Sequence, residues 1–265
     1  MADAAVTQVL VGTQRQLFVP NEDDEKQPFT IRSATFADVK ALLELEEIVW
    51  RDQQDSTPAT QAMIEGRIKH YPRGSIVAEQ GGKIIAWVVF FPVTYPCVRV
   101  NGYWRVEQHF SHMQITGNGT LDPGIINQYL SGAHDEKHAN SVYGVNLSVH
   151  PDYGNRGVGS YMVGLFQKFA EELNVPVAFL GSRVPTYNSA CFHSNGGGDP
   201  DIEEYITRRF QEGPKQGLLV DDELRFYESI GFKVVKNALI RNYMIDPPSR
   251  NYGVLVFWNN PNYLE

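Results

Sequence analysis

The sequence predicts an α/β fold, because strand patterns and helix patterns alternate along most of its length. The clearest example runs from Tyr143 to Phe169, where a strand, a glycine-rich turn and an amphipathic helix follow one another. A second is a β-hairpin, in which two apolar runs, 76–78 and 84–91, flank Gly81-Gly82, a dipeptide typical of two-residue turns. Two further strand patterns near the end of the chain support the same fold class.

Composition bounds the architecture and the function. The chain has 265 residues, of which 42% are apolar and 12% aromatic, enough to fill a sizeable core. We expect one large domain over residues 28–265, preceded by an extension over 1–27. The net charge of −8 argues against a nucleic-acid partner, since phosphate backbones need concentrated Lys and Arg. Neither a signal peptide nor a membrane-length apolar run is found, so we expect a cytoplasmic enzyme without a membrane partner. We also expect a monomer or a homodimer.

The first part of the domain is expected to hold a strand, two helices and the hairpin. Phe29 to Arg32 has the pattern of a short strand. Thr35 and Asp38 then form a capping-box pair ahead of a helix. Thr57-Pro58 is expected to start a second helix, with proline at the first position, where no amide hydrogen is needed.

The second part continues the alternation. The run from Val175 to Leu180 is continuously apolar, as in a buried strand. Three acids, Asp221 to Glu223, mark a helix N-terminus, because negative side chains are favourable at the positive end of the helix dipole. Gly231 is expected to end that helix. Strands are predicted at Lys233 to Ile240 and at Val254 to Trp258.

Two stretches exceed this plan and are predicted as loop insertions, at about 93–142 and 189–220. The first is expected to be a solvated excursion with a small aromatic cluster. Its four histidines, at positions 109, 112, 134 and 138, lack metal-ligand spacing on one helix face, so no metal is expected. The second is expected to hold a glycine turn at 196–198 and a short helix over Ile202 to Phe210.

The turn from Gly154 to Ser160, GNRGVGS, has the properties of an anion site. A glycine-rich turn that opens a helix exposes unpaired amide hydrogens and the positive end of the helix dipole. A phosphate is the natural ligand. A P-loop requires Lys-Ser or Lys-Thr after its last glycine, whereas Ser160-Tyr161 stands here. The dinucleotide fingerprint has its glycines in another order and needs an acid at the end of a second strand, so both alternatives fail.

The stretch resembles the pyrophosphate-binding motif of GNAT-type N-acetyltransferases, [Q/R]-x-x-G-x-[G/A] after a strand that ends near His-Pro-Asp-Tyr. Gly157, Gly159 and the preceding VHPDY match it. The usual Gln or Arg is replaced by Gly154, and Arg156 could supply the positive charge instead. The segment FYESIGF, from Phe226 to Phe232, is similar to another GNAT pattern.

Two further segments, Arg183 to Tyr187 and Asn242 to Pro261, are similar to a branch of that superfamily in which some members are fused to a nitrilase-like hydrolase domain. The resemblance implies the GNAT fold, in which a central mixed and twisted sheet is flanked by helices. It also implies acetyl-CoA as cosubstrate, with the pantetheine arm along a strand and the pyrophosphate in the turn. The residues implied to bind it are Leu147, Ser148, Val149, Gly154, Asn155, Arg156, Gly157, Val158, Gly159, Ser160 and Asn188.

Acetyl transfer to an amine needs a base for the amine, a group that polarises the carbonyl and a proton for the departing thiolate. The resemblance makes Tyr227 the proton donor; its alternative role is a packing aromatic beside Phe226. An amide of Leu147 or Val149 is expected to polarise the carbonyl. Glu107 is the predicted base, with His109, His150 or a water chain as alternatives.

Two functions stay open at this point. The first is an N-acetyltransferase that moves an acetyl group from acetyl-CoA to a primary amine. The second is a non-catalytic GNAT-fold module that binds acyl-CoA as a sensor; Tyr227 favours the enzyme. The sequence does not distinguish a small amine, a polyamine, an antibiotic or a peptide N-terminus as the acceptor.

Overall fold

A computed structural model describes residues 15–16, 28–51, 58–106, 110–192 and 199–265. The strands are β1 (Arg15–Gln16), β2 (Pro28–Ser33), β3 (Ser75–Gln80), β4 (Lys83–Val93), β5 (Cys97–Val100), β6 (Tyr103–Val106), β7 (Ser141–Val149), β8 (Val177–Ser182), β9 (Lys233–Ile240) and β10 (Gly253–Asn259). The α-helices are α1 (Val39–Trp50), α2 (Gln61–His70), α3 (His112–Ile115), α4 (Pro123–Ile126), α5 (Val158–Glu172), α6 (Tyr187–Phe192), α7 (Ile202–Tyr205) and α8 (Asp222–Ser229).

The main sheet is mixed, as predicted. Its strand order is β1-β2-β3-β4-β7-β8-β10-β9, while β5 and β6 form a separate hairpin. Strands β7 and β8 are parallel, and α5 makes the crossover between them. The other neighbours in the sheet pair antiparallel. The parallel pair lies in the middle of the sheet, and this arrangement positions the site described below.

The local sequence explains the first elements. Gly81 and Gly82 connect β3 to β4 with φ values of +57° and +79°, the pair of positive values that a type I′ turn requires. The capping box of Thr35 and Asp38 is present ahead of a 3₁₀ turn that leads into α1. Arg32 donates to both oxygens of Asp38, at 2.7 and 2.8 Å. The Arg32 guanidinium holds the pKa of Asp38 down, at about 2.

Helix α5 packs its apolar face on the centre of the sheet. Phe166 and Phe169 lie with ring centroids 5.6 and 5.1 Å from the ring of Phe90 in β4. All three side chains are almost fully buried. Each contributes about 1.5–3 kcal/mol of apolar burial. The helical period from Val158 to Phe169 therefore fixes both the length of the helix and the face that joins the core.

Two predicted boundaries differ from the structure. Helix α2 begins at Gln61 rather than Pro58, because Thr60 is its N-cap and accepts a hydrogen bond from the amide of Met63 at 3.3 Å. The helix expected over 202–210 ends at Tyr205, after which the chain makes a β-bridge between Arg209 and Leu219. The predicted extension over 1–27, apart from β1, and the glycine turn at 196–198 lie outside the described residues.

The first insertion is not a purely solvated excursion. The aromatic cluster that the sequence predicted is present, with Tyr95, Phe110 and Tyr129 in edge or tilted contact. The insertion also contains the β5–β6 hairpin, α3 and α4, and it buries Ile115 and Ile126 against the domain. His112, Met113 and Gly119 of the insertion line the cavity described next.

Candidate functional site

Strands β7 and β8 separate partway along their length. They pair only from Ser141 with Val177 to Gly144 with Leu180, whereas β7 continues to Val149. Within the described part of the chain, 145–149 has a ladder partner only on the β4 side. The backbone groups on the other edge are therefore open, as required for pairing with an extended ligand.

A β-bulge accounts for the separation. Phe90 of β4 pairs with Gly144, and Val89 pairs with Asn146, so Val145 is an extra residue in β7. A bulge bends its strand and increases the local twist. It also changes which side chains face each side of the sheet, so Gly144 faces Phe166 of α5 while Ser148 faces α1.

A cavity of about 290 Å³ lies where the two strands separate. Its walls include 144–147 of β7 and the end of β8, and they are mostly apolar. Charged and polar groups line it from six other parts of the chain: Glu46 of α1, Arg67 of α2, His112 of the first insertion, Arg183 after β8, Glu223 and Tyr227 of α8, and Tyr243 between β9 and β10. A concave apolar site with a few convergent polar groups is typical of ligand binding.

Helix α8 presents Glu223 and Tyr227 to this cavity together. The two residues are four positions apart and therefore lie on one helix face. Asp221 caps the helix and accepts hydrogen bonds from the amides of Glu223 and Leu224 at 3.1 Å each. The ring of Tyr227 is held edge-on by Phe232, with centroids 5.6 Å apart. Burial raises the pKa of Tyr227, so its phenol keeps its proton at neutral pH.

Glu223 is a carboxylic acid with an unusual ionisation. Desolvation raises its pKa to about 7, although the positive charge of Arg183 acts in the opposite direction. Arg183 is engaged elsewhere: it donates to the two oxygens of Asp246 at 2.8 and 2.7 Å and stacks on Trp50. Its nearest approach to Glu223 in an ion pair is 4.0 Å. Glu223 is therefore poised to exchange a proton near neutral pH.

A chain of three polar side chains runs along another wall. The hydroxyls of Tyr143 and Tyr243 are 2.7 Å apart, and that of Tyr243 is 3.1 Å from Nδ1 of His112. Burial, and then the charge of Arg67, lower the pKa of His112 to about 3. His112 is therefore neutral at physiological pH and available for hydrogen bonding.

Arg67 and Glu46 are both buried at the wall formed by α1 and α2. Nε of Arg67 donates to the carbonyl of Gly119 at 2.9 Å, and its guanidinium lies 5.2 Å from the centroid of Trp87. Glu46 accepts from Trp50 Nε1, the amide of Ala59, Asn146 Nδ2 and the hydroxyl of Ser148. Its oxygens are thus occupied by these donors.

The glycine turn lies beyond the end of β7. Gly157 is the N-cap of α5 with φ of +78°, and the first helical hydrogen bond runs from the amide of Tyr161 to its carbonyl. The amides of 158–160 thus precede the helical hydrogen-bond ladder. A Cβ on Gly159 would lie 3.7 Å from Val149, so the turn directly adjoins the open strand. Arg156 stacks on Tyr153 at 5.6 Å.

Of the other residues predicted for the site, one lines the cavity and the rest that the structure describes lie away from it. Leu147 lines the cavity, whereas Ser148 turns towards α1 and donates to Glu46. Asn188 lies on α6 and accepts from Nε of Arg250 at 3.0 Å. His150 caps the turn after β7 and is 2.9 Å from Lys83 Nζ, away from the cavity. Glu107 and His109 lie outside the described residues.

Sequence reasoning missed several of the groups that meet here. In the sequence, Glu223 is one of three acids that mark a helix N-terminus, and the signal for its role in the cavity is its spacing of four from Tyr227, which places both on one face. No local pattern in the sequence identifies Arg67, His112 or Tyr243, because each belongs to a different element.

Among the described residues, no helix has the length and apolarity needed to cross a bilayer.

Comparison with known proteins places this geometry in a known fold. The loading GNATL domain of CurA from Lyngbya majuscula aligns with a TM-score of 0.65 and 20% identity, covering 88% of this chain and 98% of that one. GphF, described as a GNAT-like decarboxylase in complex with isobutyryl-CoA, aligns with a TM-score of 0.61 and 21% identity over 87% of this chain and 98% of its own. The chain therefore has the GNAT fold, as the resemblance in its sequence implied.

Two relatives from Bacillus subtilis are similar in sequence. One is named an uncharacterized N-acetyltransferase, YkwB, and is 23% identical over 259 residues, which is 94% of this chain and 96% of the relative. The other is named a probable hydrolase, YhcX, and is 22% identical over 240 residues, 90% of this chain but 40% of the relative. The second match agrees with the similarity to GNAT domains fused to hydrolases. No family model matches the chain.

Proposed function

We propose that this protein is an acyl-CoA-dependent N-acetyltransferase that moves the acetyl group of acetyl-CoA to a primary amine. The observation that carries the proposal is the open edge of β7 at 145–149, which connects the glycine turn to a cavity containing Glu223 and Tyr227. The N-acetyltransferase named among the relatives supports the reaction, and the isobutyryl-CoA complex named among the structural neighbours supports binding of an acyl-CoA.

The cosubstrate is proposed to lie along this path. Its pyrophosphate would accept hydrogen bonds from the amides that follow Gly157, where the dipole of α5 favours negative charge. Its pantetheine arm would pair with the open edge of β7, where 145–149 spans about 13 Å at ~3.3 Å per residue. The thioester would then reach the cavity, and an amide of Leu147 or Val149 would polarise its carbonyl.

The two ionisable groups on α8 suit the two proton transfers of the reaction. An alkylammonium has an ordinary pKa of about 10.4 and must lose a proton before or during attack. Glu223, with its pKa of about 7, can accept that proton. Tyr227 stays protonated and can donate to the departing thiolate of CoA. Both groups belong to one rigid helical turn, which fixes their separation.

Glu107 remains the competing candidate for the base, since it was predicted from the sequence. Comparing Glu223→Gln with Glu107→Gln separates the two assignments. The variant that removes the base should lose about 10²- to 10⁴-fold in kcat/KM on an amine substrate, and the variant at the other glutamate should lose little.

The experiment that tests the function has two stages. Acetyl-CoA should raise the melting temperature, and at 100 times its Kd it should stabilise the protein by about 2.7 kcal/mol. NAD and ATP serve as controls and should have a much smaller effect. A panel of amines is then added, and the loss of acetyl-CoA is followed.

Each outcome has a defined meaning. Consumption of acetyl-CoA with one amine supports the transferase. Binding without turnover on any amine favours the alternative function, a GNAT-fold module that senses acyl-CoA. The absence of a melting shift with every CoA thioester tested would refute coenzyme binding altogether.

A further inference from the structure

Arg67 is buried, yet one of its hydrogen-bonding groups has no partner among the residues that the structure describes. Only 3% of its surface is exposed, and it lines the cavity between β7 and β8. Nε donates to the carbonyl of Gly119, but Nη1 has no hydrogen-bond partner among the described residues. Such groups are rare in native proteins, because a buried donor that lacks an acceptor loses its hydration without compensation.

The charge of Arg67 also lacks a contacting anion in the described part of the chain. Burial lowers its pKa to about 10, which still leaves it charged at neutral pH. Glu46 is near enough to act on Arg67 electrostatically, but its own hydrogen bonds go to Trp50, Ala59, Asn146 and Ser148. Burying a guanidinium is costly unless an anion lies against it.

The other arginine of the cavity is a useful contrast. Arg183 is bound through two hydrogen bonds to Asp246, so its charge is already compensated. His112, beside Arg67, is neutral because its pKa is about 3. Arg67 is thus the cationic group of this wall that is available to a ligand.

We propose that Arg67 binds a carboxylate carried by a substrate of this protein. The proposal deepens the proposed acyl-CoA-dependent transfer to an amine and rests on it. A planar carboxylate matches the fork of a guanidinium, and a hydrogen bond between charged groups is among the stronger ones. A phosphate dianion fits the wall less well, because Glu46 and Glu223 also line this cavity. The carboxylate belongs either to the acceptor amine, as in an amino acid, or to the acyl group of the CoA thioester.

Two arms of one experiment distinguish these sources. The first arm compares kcat/KM for amino acids with kcat/KM for their amides, using acetyl-CoA as the donor. The second compares the Kd of malonyl-CoA with the Kd of acetyl-CoA by calorimetry. In one of the two arms, the wild type should prefer the ligand with the carboxylate by about 10- to 100-fold in kcat/KM or in Kd, as expected for a hydrogen bond to a charged group.

Arg67→Met removes the charge and keeps an unbranched apolar side chain. In the arm where the wild type prefers the carboxylate, this variant should reduce the preference to less than about threefold. The ratio measured in the other arm should change little. Arg73→Met is the matched control. Arg73 also stacks on an aromatic ring, that of Phe169 at 5.0 Å, but it is paired with Glu136 and Glu172 outside the cavity. The control should retain the full preference.

Stability separates a ligand-binding role from a structural one. Arg67→Met removes a buried charge that has no contacting anion in the described part of the chain. Its melting temperature should therefore fall less than that of Arg73→Met, which breaks the ion pairs with Glu136 and Glu172. If Arg67→Met does not fold, Arg67→Lys serves instead. It keeps the charge and loses the fork, so the preference should fall only partly.

Three results would overturn the proposal. A wild type that turns over amines and binds CoA thioesters without a carboxylate preference in either arm refutes it. So does a preference that persists in a folded Arg67→Met. If acetyl-CoA and malonyl-CoA both fail to bind the wild type, the acetyltransferase function fails first and this assignment fails with it. That last case is recognised from the binding titration alone.

Discussion

Glu223→Gln is the most informative substitution, because it tests an ionisation that the fold creates. Glutamine keeps the size and shape of the side chain. It also keeps an oxygen that can accept from the amide of Arg183, a hydrogen bond of 3.1 Å in the structure. What it removes is the ability of this position to bind and release a proton.

The size of the effect follows from the pKa. In the folded protein, desolvation raises the pKa of Glu223 from its ordinary 4.5 to about 7. Each pKa unit corresponds to about 1.4 kcal/mol, so the difference between 4.5 and about 7 is worth at most about 3–4 kcal/mol. Between pH 4.5 and about pH 7, the folded state binds more protons at this position than the unfolded chain does. The free energy of unfolding contributed by Glu223 therefore falls as the pH rises from 4.5 to about 7.

The assay is urea denaturation across this pH range for the wild type and the variant. The difference in unfolding free energy should move in favour of Glu223→Gln as the pH rises and level off above about pH 7. Asp222→Asn is the matched control, because Asp222 lies in the same helical turn with 65% of its side chain exposed. Its pH profile should follow that of the wild type.

The activity of the same variant tests the base. For the wild type, kcat/KM should rise with pH through an inflection near 7, since the free carboxylate is the active form. Glu223→Gln should lose about 10²- to 10⁴-fold and the inflection with it. Parallel stability profiles in the wild type and Glu223→Gln, together with an unchanged inflection in the rate, would refute the assignment.

Three further results are expected. Gly157→Val should weaken CoA binding in a folded protein, because a φ of +78° costs a β-branched residue about 1–2 kcal/mol and the strain displaces the turn. Gly164→Ala is the control, since Gly164 lies on α5 with open space around it, and it should leave the Kd for CoA unchanged. Equal CoA affinity in wild type and Gly157→Val would show that the turn is structural only. Tyr227→Phe should lower kcat by about 10²–10⁴-fold with little change in KM, and a loss below about threefold would make water the donor. Glu107→Gln should keep most of the activity if Glu223 is the base, and a large loss would favour Glu107.

The sequence determined the elements whose causes are local. The alternation from Val145 to Val149 gave a strand, and the helical period from Val158 to Phe169 gave the face of α5 that packs on the sheet. The capping box at Thr35 and the positive-φ glycines at 81–82 followed from residue chemistry within four positions. Such features are readable because their interactions involve neighbours in the chain.

Two helix boundaries depend on competing local preferences, and the sequence did not predict them. Proline at position 58 is compatible with the first turn of a helix, but α2 begins only after Thr60, whose side chain caps an amide. The short helix after Ile202 stopped early because the chain there pairs as a bridge between Arg209 and Leu219. In both cases a nearby hydrogen bond decided the boundary.

Tertiary structure alone decided how the cavity is composed and charged. Arg67 and His112 are 45 positions apart in the chain and Glu223 lies further on, yet they line one space because β7 and β8 separate beyond the bulge at Val145. The same packing removes water from Glu223 and leaves Arg67 without a contacting anion among the described residues. Ionisation depends on solvent and on charges brought from distant elements, so it is a property of the folded molecule that no single segment contains.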